Sequence, residues 1–223
     1  MRNLIVFDID RTIYDGSIFL DFSLHLIQKD LISPKFLSLV GFEYVTYQTG
    51  FESYDELVRD CLNYFFDEVK NIPPQTLKLE MRECLFKNHH KFFDFVFEIL
   101  RDYPEYNYML ISLEPEIVTK EVANFLKIEN FACNHFLNQK NFLAKPNLIF
   151  NKLTLFKNSK FGNEVPFAVF GDSESDLELL KLSENRFIIN PTSTLQKIVM
   201  NEKLNYKFSD QISVKEEIKS IFN

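Results

Sequence analysis

Tryptophan is absent from this chain of 223 residues, and glycine occurs only five times. So little glycine leaves no nucleotide-cradling loop: neither G-x-x-x-x-G-K nor G-x-G-x-x-G is present. The three cysteines, Cys61, Cys84 and Cys133, are too few and too scattered for a disulfide framework, and their spacings match no zinc pattern. The four histidines include no i, i+4 pair, and the adjacent His89 and His90 face different ways on a helix. All four are read as structural or solvent-facing. No apolar run approaches the roughly 20 residues of a membrane span, and no charged-then-apolar leader precedes residue 7. A net charge of -7 gives no basis for non-specific nucleic-acid binding. These absences lead to the expectation of a soluble cytoplasmic protein with no nucleic-acid partner and no transmembrane segment. What the chain has in excess is phenylalanine, 25 residues of it, read as core filling and not as a functional signal.

The periodicity changes twice along the chain. Leu4-Ile5-Val6-Phe7 is a short apolar run of the kind that makes a buried parallel strand. After Gly16 the spacing becomes helical and stays so to about residue 88. Ser17–Lys29 carries Ile18, Phe19, Phe22, Leu26 and Ile27. Pro34 suits a first helical turn and is followed by Phe36, Leu37, Val40 and Val45. The clearest helix is 53–70, with an apolar stripe from Tyr54 through Leu57, Val58, Cys61, Leu62, Phe65 and Phe66 to Val69. Ser53 and Glu56 form a capping box at its start, and Pro73-Pro74 opens the next helix. Alternation of helix and strand then returns: a helix over 91–101, a strand over 108–112, and a helix from Pro115 to about Leu126. A strand over 131–137 and a helix over 146–158 follow. A strand over 167–170, a helix over 176–182 and a strand over 187–189 come next. The last 30 residues read as one or two amphipathic helices. This order implies an α/β fold, a three-layer α/β/α arrangement around a parallel sheet, with an inserted all-helical unit.

Ligands in such sheets bind beyond the carboxyl ends of the strands. Four polar groupings fall there or nearby: Asp8, Asp10 and Thr12; Ser112; Lys152, within the helix over 146–158; and Gly171-Asp172-Ser173-Glu174-Ser175-Asp176. Asp8 and Asp10, two residues apart, point to one side if extended. Two like charges there raise each other's cost of ionisation, and a divalent cation with a preference for hard oxygen ligands would offset it. Gly171 is read as a place where the backbone turns closely around that cation. Ser173 and Asp176 also fit a plain capping box. Together the groupings supply a nucleophile, a proton donor, a cation site and phosphate donors, as phosphoryl transfer requires.

Asp-x-Asp-x-Thr, a strand-end Ser, a Lys and Gly-Asp-x-x-x-Asp, in that order, resemble the haloacid dehalogenase (HAD) superfamily over nearly the whole chain. Ile111-Ser112-Leu113-Glu114-Pro115-Glu116 and Gly171-Asp172-Ser173-Glu174-Ser175-Asp176-Leu177 resemble its phosphoserine-phosphatase-like subgroup, HAD-IB. The resemblance implies a HAD-like core over 1–15 and 89–223 and a helical cap of the C1 type over 16–88. It implies Asp8 as the nucleophile that forms an aspartyl-phosphate, and Asp10 as the acid and base whose backbone carbonyl also binds Mg²⁺. Thr12 and Ser112 would hold phosphate oxygens, and Lys152 would neutralise the phosphate and Asp8. Asp172 would bind Mg²⁺ directly, and Asp176 would hold the metal's water or orient Lys152. Lys145 and Lys157 are rivals for the lysine. Lys157 leaves little room before the next strand, and Lys145 precedes Pro146.

Two departures inform. Arg11 stands where many relatives have Gly, and its side chain is expected to turn away from the site or toward the cap. Ser17 stands where phosphoserine-specific relatives carry a Glu that holds the substrate's ammonium, which points away from phosphoserine. Ile18 and Phe19 imply a less polar entrance. The expected activity is a Mg²⁺-dependent phosphatase of a small-molecule phosphomonoester. The alternatives are a hydrolase of a lipid-linked or protein phosphate, or a non-catalytic phosphate-binding module. Asp10 argues against a dehalogenase, since dehalogenases usually lack it.

Overall fold

Residues 3–136, 143–145, 147–202, 205–210 and 213–222 are described by a computed structural model. The first strand, β1 (Leu4–Phe7), is followed by α1 (Ile18–Gln28), α2 (Lys35–Gln48), α3 (Tyr54–Val69) and α4 (Pro74–Asn88). No strand interrupts these four helices. The chain continues through α5 (Asp94–Asp102), β2 (Asn107–Pro115), α6 (Glu116–Leu126) and β3 (Asn130–Asn134). Then come α7 (Lys152–Lys157), β4 (Ala168–Gly171), α8 (Leu177–Leu180) and β5 (Asn185–Ile189). The chain closes with α9 (Ser193–Met200), β6 (Tyr206–Ser209) and α10 (Val214–Phe222). The strands form one parallel sheet in the order β3-β2-β1-β4-β5-β6.

Strand order reverses between β1 and β4. From β1 the chain builds outward through β2 and β3 on one side, then returns to lay β4, β5 and β6 on the other. The connections diverge at that point and leave a crevice at the strand ends, which is where open parallel sheets bind ligands. Asp8 and Asp172, the residues just after β1 and β4, stand at its lip. The amide of Asp8 donates to the Phe170 carbonyl at 3.0 Å, so the two ends are tied together.

Alternation along the strands separates two apolar layers. Ile5 and Phe7 of β1 face one way, with Phe170 and Phe187, and are covered by α5, α6 and α10. Leu4 and Val6 face the other way and are covered by Leu155 and Phe156 of α7, Leu179 and Leu180 of α8, and Leu195 and Val199 of α9. The rings of Phe170 and Phe187 stack with centroids 4.4 Å apart. The first layer runs on into the helical insertion, where Phe19, Phe22, Phe36 and Phe65 pack together. The abundant phenylalanines therefore fill the space between sheet and inserted helices. Truncating one such ring to alanine removes roughly 3–5 kcal/mol.

Several element boundaries differ from the periodicity. The helix expected over 146–158 is only α7: residue 146 lies outside the described residues, and 147–151 are not helical. Asn151 caps α7 by accepting from the Thr154 amide, which fixes its start. The strand expected over 131–137 runs from Asn130 to Asn134, and 137 lies outside the described residues. The helix expected over 91–101 begins at Asp94, after a 3₁₀ turn, and that over 176–182 covers only α8. Within the last 30 residues β6 separates α9 from α10. Its alternating Tyr206-Lys207-Phe208-Ser209 gives no apolar run, as suits an edge strand paired on one side only. Val45 and Ile18 also depart from expectation: Val45 is exposed, and Ile18 is buried in the core and not at an entrance.

Candidate active site

Asp8 leaves β1 into a tight turn in which the amides of Thr12, Ile13 and Tyr14 all donate to the Ile9 carbonyl. The turn forces Arg11 to φ 58°, the left-handed region that glycine adopts without strain. The Thr12 side chain points inward, not to the crevice, and its hydroxyl donates to Asp8 Oδ2 at 3.1 Å. Thr12 is fully buried behind Asp8 and does not line the cavity. This corrects the expectation that it faces a phosphate. Asp10 lies further round the turn, where its Oδ1 accepts from the Ile18 amide at 2.9 Å at the start of α1. A carboxylate there complements the positive end of the helix.

Lys152 is brought in by α7. It occupies the first helical position, where a cation is unfavourable to the helix dipole, so local propensity does not account for it. Its Nζ donates to Asp8 Oδ1 at 2.5 Å and to Asp176 Oδ1 at 2.7 Å, and all three side chains are buried. The other oxygen of Asp176 accepts from the amides of Asp172 and Ser173 and from the Ser173 hydroxyl. Asp176 thus joins Lys152 to the loop after β4, and the Ser173–Asp176 capping box is present. Gly171 is required here for a reason other than a cation. A Cβ at this position would stand 2.5 Å from the Asp176 Cβ, so any side chain would displace the carboxylate.

Ser112 lies within β2, three residues before its end and not at it. Beyond Ile111 the pairing with β3 shifts register, and irregularities of this kind re-aim side chains beside sites. The Ser112 hydroxyl accepts from the Glu114 amide at 3.2 Å. Ser112 and Glu114 both line the crevice, as the two-residue period of a strand allows. Arg11 does not turn away: its Nε lies 3.3 Å from Asp172 Oδ2 and its guanidinium donates to the Asn190 carbonyl at 3.1 Å.

These groups form the floor of a cavity of about 1020 Å³. Asp8, Asp10, Ser112, Lys152 and Asp172 all line it; Thr12 and Asp176 lie behind that surface. Its opposite wall comes from α1, α2 and α3 and is largely apolar, with Phe19, Leu37, Val40, Leu57 and Leu62, while Tyr44, Tyr47 and Gln48 add polar groups. Tyr54, expected in the core stripe of α3, is instead on this wall, and burial pushes its phenol up. Sequence reasoning also missed Glu114 and Tyr47. The Tyr47 hydroxyl donates to Glu174 Oε1 at 2.7 Å and so links α2 to the loop after β4.

Charge is crowded on the floor. Burial, with Asp176 and Asp10 nearby, raises the Asp8 carboxyl to about 7 despite Lys152. Burial also raises Asp10. Burial and the Asp8 and Asp176 carboxylates raise Asp172 well above the usual range, although Arg11 counteracts this. Carboxylate oxygens of Asp8, Asp172 and Asp176 lie within 4.8 Å of one another. This all-oxygen donor set with surplus negative charge fits Mg²⁺. The histidines are distributed otherwise: His25 is buried and paired with Glu80 at 2.8 Å, and His135 is exposed beside Glu116.

No protein-family profile matches the sequence, and no curated protein matches it. Solved structures do. A protein of unknown function from Bordetella pertussis Tohama I superposes with a TM-score of 0.75 at 13% identity, covering 95% of this chain and 100% of that one. A phosphoserine phosphohydrolase-like protein from Francisella tularensis subsp. tularensis SCHU S4 gives 0.64 at 17% identity, covering 97% and 98%. A phosphoserine phosphatase described as a phospho-aspartyl intermediate analogue gives 0.61 at 13% identity, covering 99% of both chains. The chain shares the fold of these solved structures. Asp8 and Asp172 stand at the carboxyl ends of β1 and β4 in that shared sheet. Among the described residues no helix is long and apolar enough to cross a membrane.

Proposed function

We propose that the protein is a phosphoric monoester hydrolase that uses Mg²⁺ and a covalent aspartyl-phosphate on Asp8. The observation that carries this reading is the Lys152 ammonium bonded to both Asp8 and Asp176 on the floor of a large cavity. A buried lysine so placed holds a carboxylate in one orientation and leaves a positive charge beside it for an incoming phosphate.

Thr12 and Lys152 each hold one oxygen of Asp8 and so fix its plane. Asp8 attacks phosphorus as the bond to the ester oxygen breaks. Asp10, whose hold on a proton is strengthened by burial, gives its proton to the leaving oxygen. Asp10 then takes a proton from the water that attacks the phosphorus of the acyl phosphate, and Asp8 is released as carboxylate. Ser112 donates its hydroxyl to a phosphate oxygen. The side chains of Asp8 and Asp172 and the backbone carbonyl of Asp10 would hold Mg²⁺, and Asp176 keeps Lys152 and the loop after β4 in register. Mg²⁺, when bound, offsets the clustered carboxylates and the phosphate charge. α1–α4 act as the cap over residues 16–88, on a core of 1–15 and 89–223, in a cytoplasmic enzyme. The apolar helical wall favours a second substrate reading within the same chemistry, a lipid-linked phosphate.

Hydrolysis of p-nitrophenyl phosphate with Mg²⁺ and with a chelator tests the proposal. Activity that needs Mg²⁺ and vanishes in a folded Asp8→Asn variant is expected. Undiminished turnover by Asp8→Asn, or none by the wild type, overturns it.

A further inference from the structure

Thr12 spends its hydroxyl on Asp8, behind the cavity surface, which leaves an incoming phosphate one donor short of the sequence expectation. Ser112 remains on the floor, and Lys152 supplies charge. The hydroxyls of Tyr47 and Thr192 are committed to Glu174, and that of Ser173 to Asp176. A phosphate above Asp8 presents three non-bridging oxygens, and an ionised oxygen left without a donor away from water is costly.

Tyr54 is placed to supply the missing donor. It is the first residue of α3, and the capping box between Ser53 and Glu56 fixes where that helix begins. Its half-buried ring packs on the apolar layer that includes Ile111 and Leu113, on either side of Ser112, and Leu155, three residues after Lys152. An edge-to-face contact with Tyr47, centroids 5.8 Å apart, braces the ring from α2. Tyr54 therefore reaches from the helical wall to the floor and lines the cavity together with Asp8, Lys152 and Asp172. The charges that act most on its hydroxyl are those of Lys152, Asp172, Asp8 and Asp176, all at the floor. Tyrosine ordinarily keeps its proton at neutral pH, and burial strengthens that hold here. The group thus meets an anion as a hydrogen-bond donor.

Resting on the phosphatase reading, we propose that the Tyr54 hydroxyl donates a hydrogen bond to a non-bridging phosphate oxygen, in the substrate and in the aspartyl-phosphate alike. The phosphate then takes one donor from each layer around it: Lys152 from α7, Ser112 from β2 and Tyr54 from the inserted helices. Phosphate is common to every ester, so this contact serves all substrates equally and does not select among leaving groups. It also makes α3 part of the chemistry and not only of the enclosure.

The test compares the wild type with Tyr54→Phe, which removes the oxygen and keeps the ring. With Mg²⁺ present, orthophosphate as a competitive inhibitor should bind about tenfold more weakly or worse. The kcat/KM values of p-nitrophenyl phosphate and n-butyl phosphate should fall by a common factor of about tenfold or more. Mg²⁺ affinity of the substrate-free protein, read by calorimetry, should not change. Tyr54→Met also lacks the hydroxyl and packs adaptably, and it covers the case in which the phenylalanine variant does not fold. Wild-type orthophosphate affinity in a folded variant, or a loss confined to one ester, overturns this inference while leaving the phosphatase reading intact. Mg²⁺ affinity reduced as much as the rate overturns it too, since the effect would then lie on Asp172. Absence of turnover of both esters by the wild type overturns both readings.

Discussion

The Arg11 guanidinium lies 3.3 Å from the Asp172 carboxylate, although Arg11 holds a backbone conformation that glycine adopts at no cost. A cation from the chain itself therefore stands where Mg²⁺ would meet Asp172. The two positive charges compete, and the arginine is half exposed, so its hold is weak. Arg11→Gly should bind Mg²⁺ several-fold more tightly, read by calorimetry without substrate. It should fold at least as well, since a left-handed L-residue costs roughly 1–2 kcal/mol. Unchanged or weaker Mg²⁺ binding would show that Arg11 does not oppose the ion.

Lys152 should matter as much to folding as to turnover. Its ammonium is the buried partner of both Asp8 and Asp176. Removing one partner of a buried ion pair leaves uncompensated charge and costs roughly 3–5 kcal/mol. Lys152→Ala should melt well below the wild type without metal, and Mg²⁺ should recover part of the loss. A variant as stable as the wild type would mean that the carboxylates find other compensation.

Stability should also depend on pH with a sign opposite to that of an ordinary salt-bridged aspartate. The Asp8 carboxyl rises from 3.8 to about 7, chiefly through burial. The folded state then binds the proton more tightly than the unfolded chain. Its contribution is most favourable at low pH and is lost as pH rises from about 4 through about 7. Metal-free protein should melt several degrees lower at pH 7.5 than at pH 5.5. Asp8→Asn should flatten that slope, and Mg²⁺ should stabilise the wild type more at the higher pH, because its ligands must be deprotonated. A melting temperature rising across this window would contradict the assignment to Asp8.

What the sequence disclosed divides along physical lines. Runs such as Leu4–Phe7 and the stripe of α3 carry their own periodicity, so strands and helices in the core were legible. Asp8 and Asp172 stood out as charged residues beyond apolar strands, whereas Lys152, within a helix, was singled out from Lys145 and Lys157 only through the family resemblance and its spacing. The aim of side chains was not legible. Whether Thr12 faces the crevice or the back of Asp8 depends on a turn whose φ at Arg11 no pattern announces. Glu114 looked like part of a motif, and only a folded chain reveals that its buried carboxyl lies against Asp10 in the cavity. β6 escaped because its four residues carry no apolar run, only Tyr206 and Ser209 at its ends being buried.

Tyr47 and Glu174 provide the last prediction. The Tyr47 hydroxyl donates to one oxygen of Glu174, and the Thr192 hydroxyl donates to the other at 3.0 Å. Helix α2 is thereby fastened to the loops after β4 and β5, across the mouth of the cavity. Glu174 lies two residues from Asp172 and Asp176, so the fastening joins the helical wall directly to the loop that carries the acidic cluster. Tyr47→Phe removes one hydrogen bond to a charged acceptor, worth roughly 1.5–3 kcal/mol, and leaves the ring contact with Tyr54 in place. Amide exchange in α2 should therefore quicken at least about fivefold, while β1 and β4 keep their protection, because the sheet does not rest on this contact. If α2 opens when substrate enters, KM should also change while Mg²⁺ affinity in the free protein stays the same. Exchange in α2 that matches the wild type would mean that its apolar packing on α3 alone holds the wall in place.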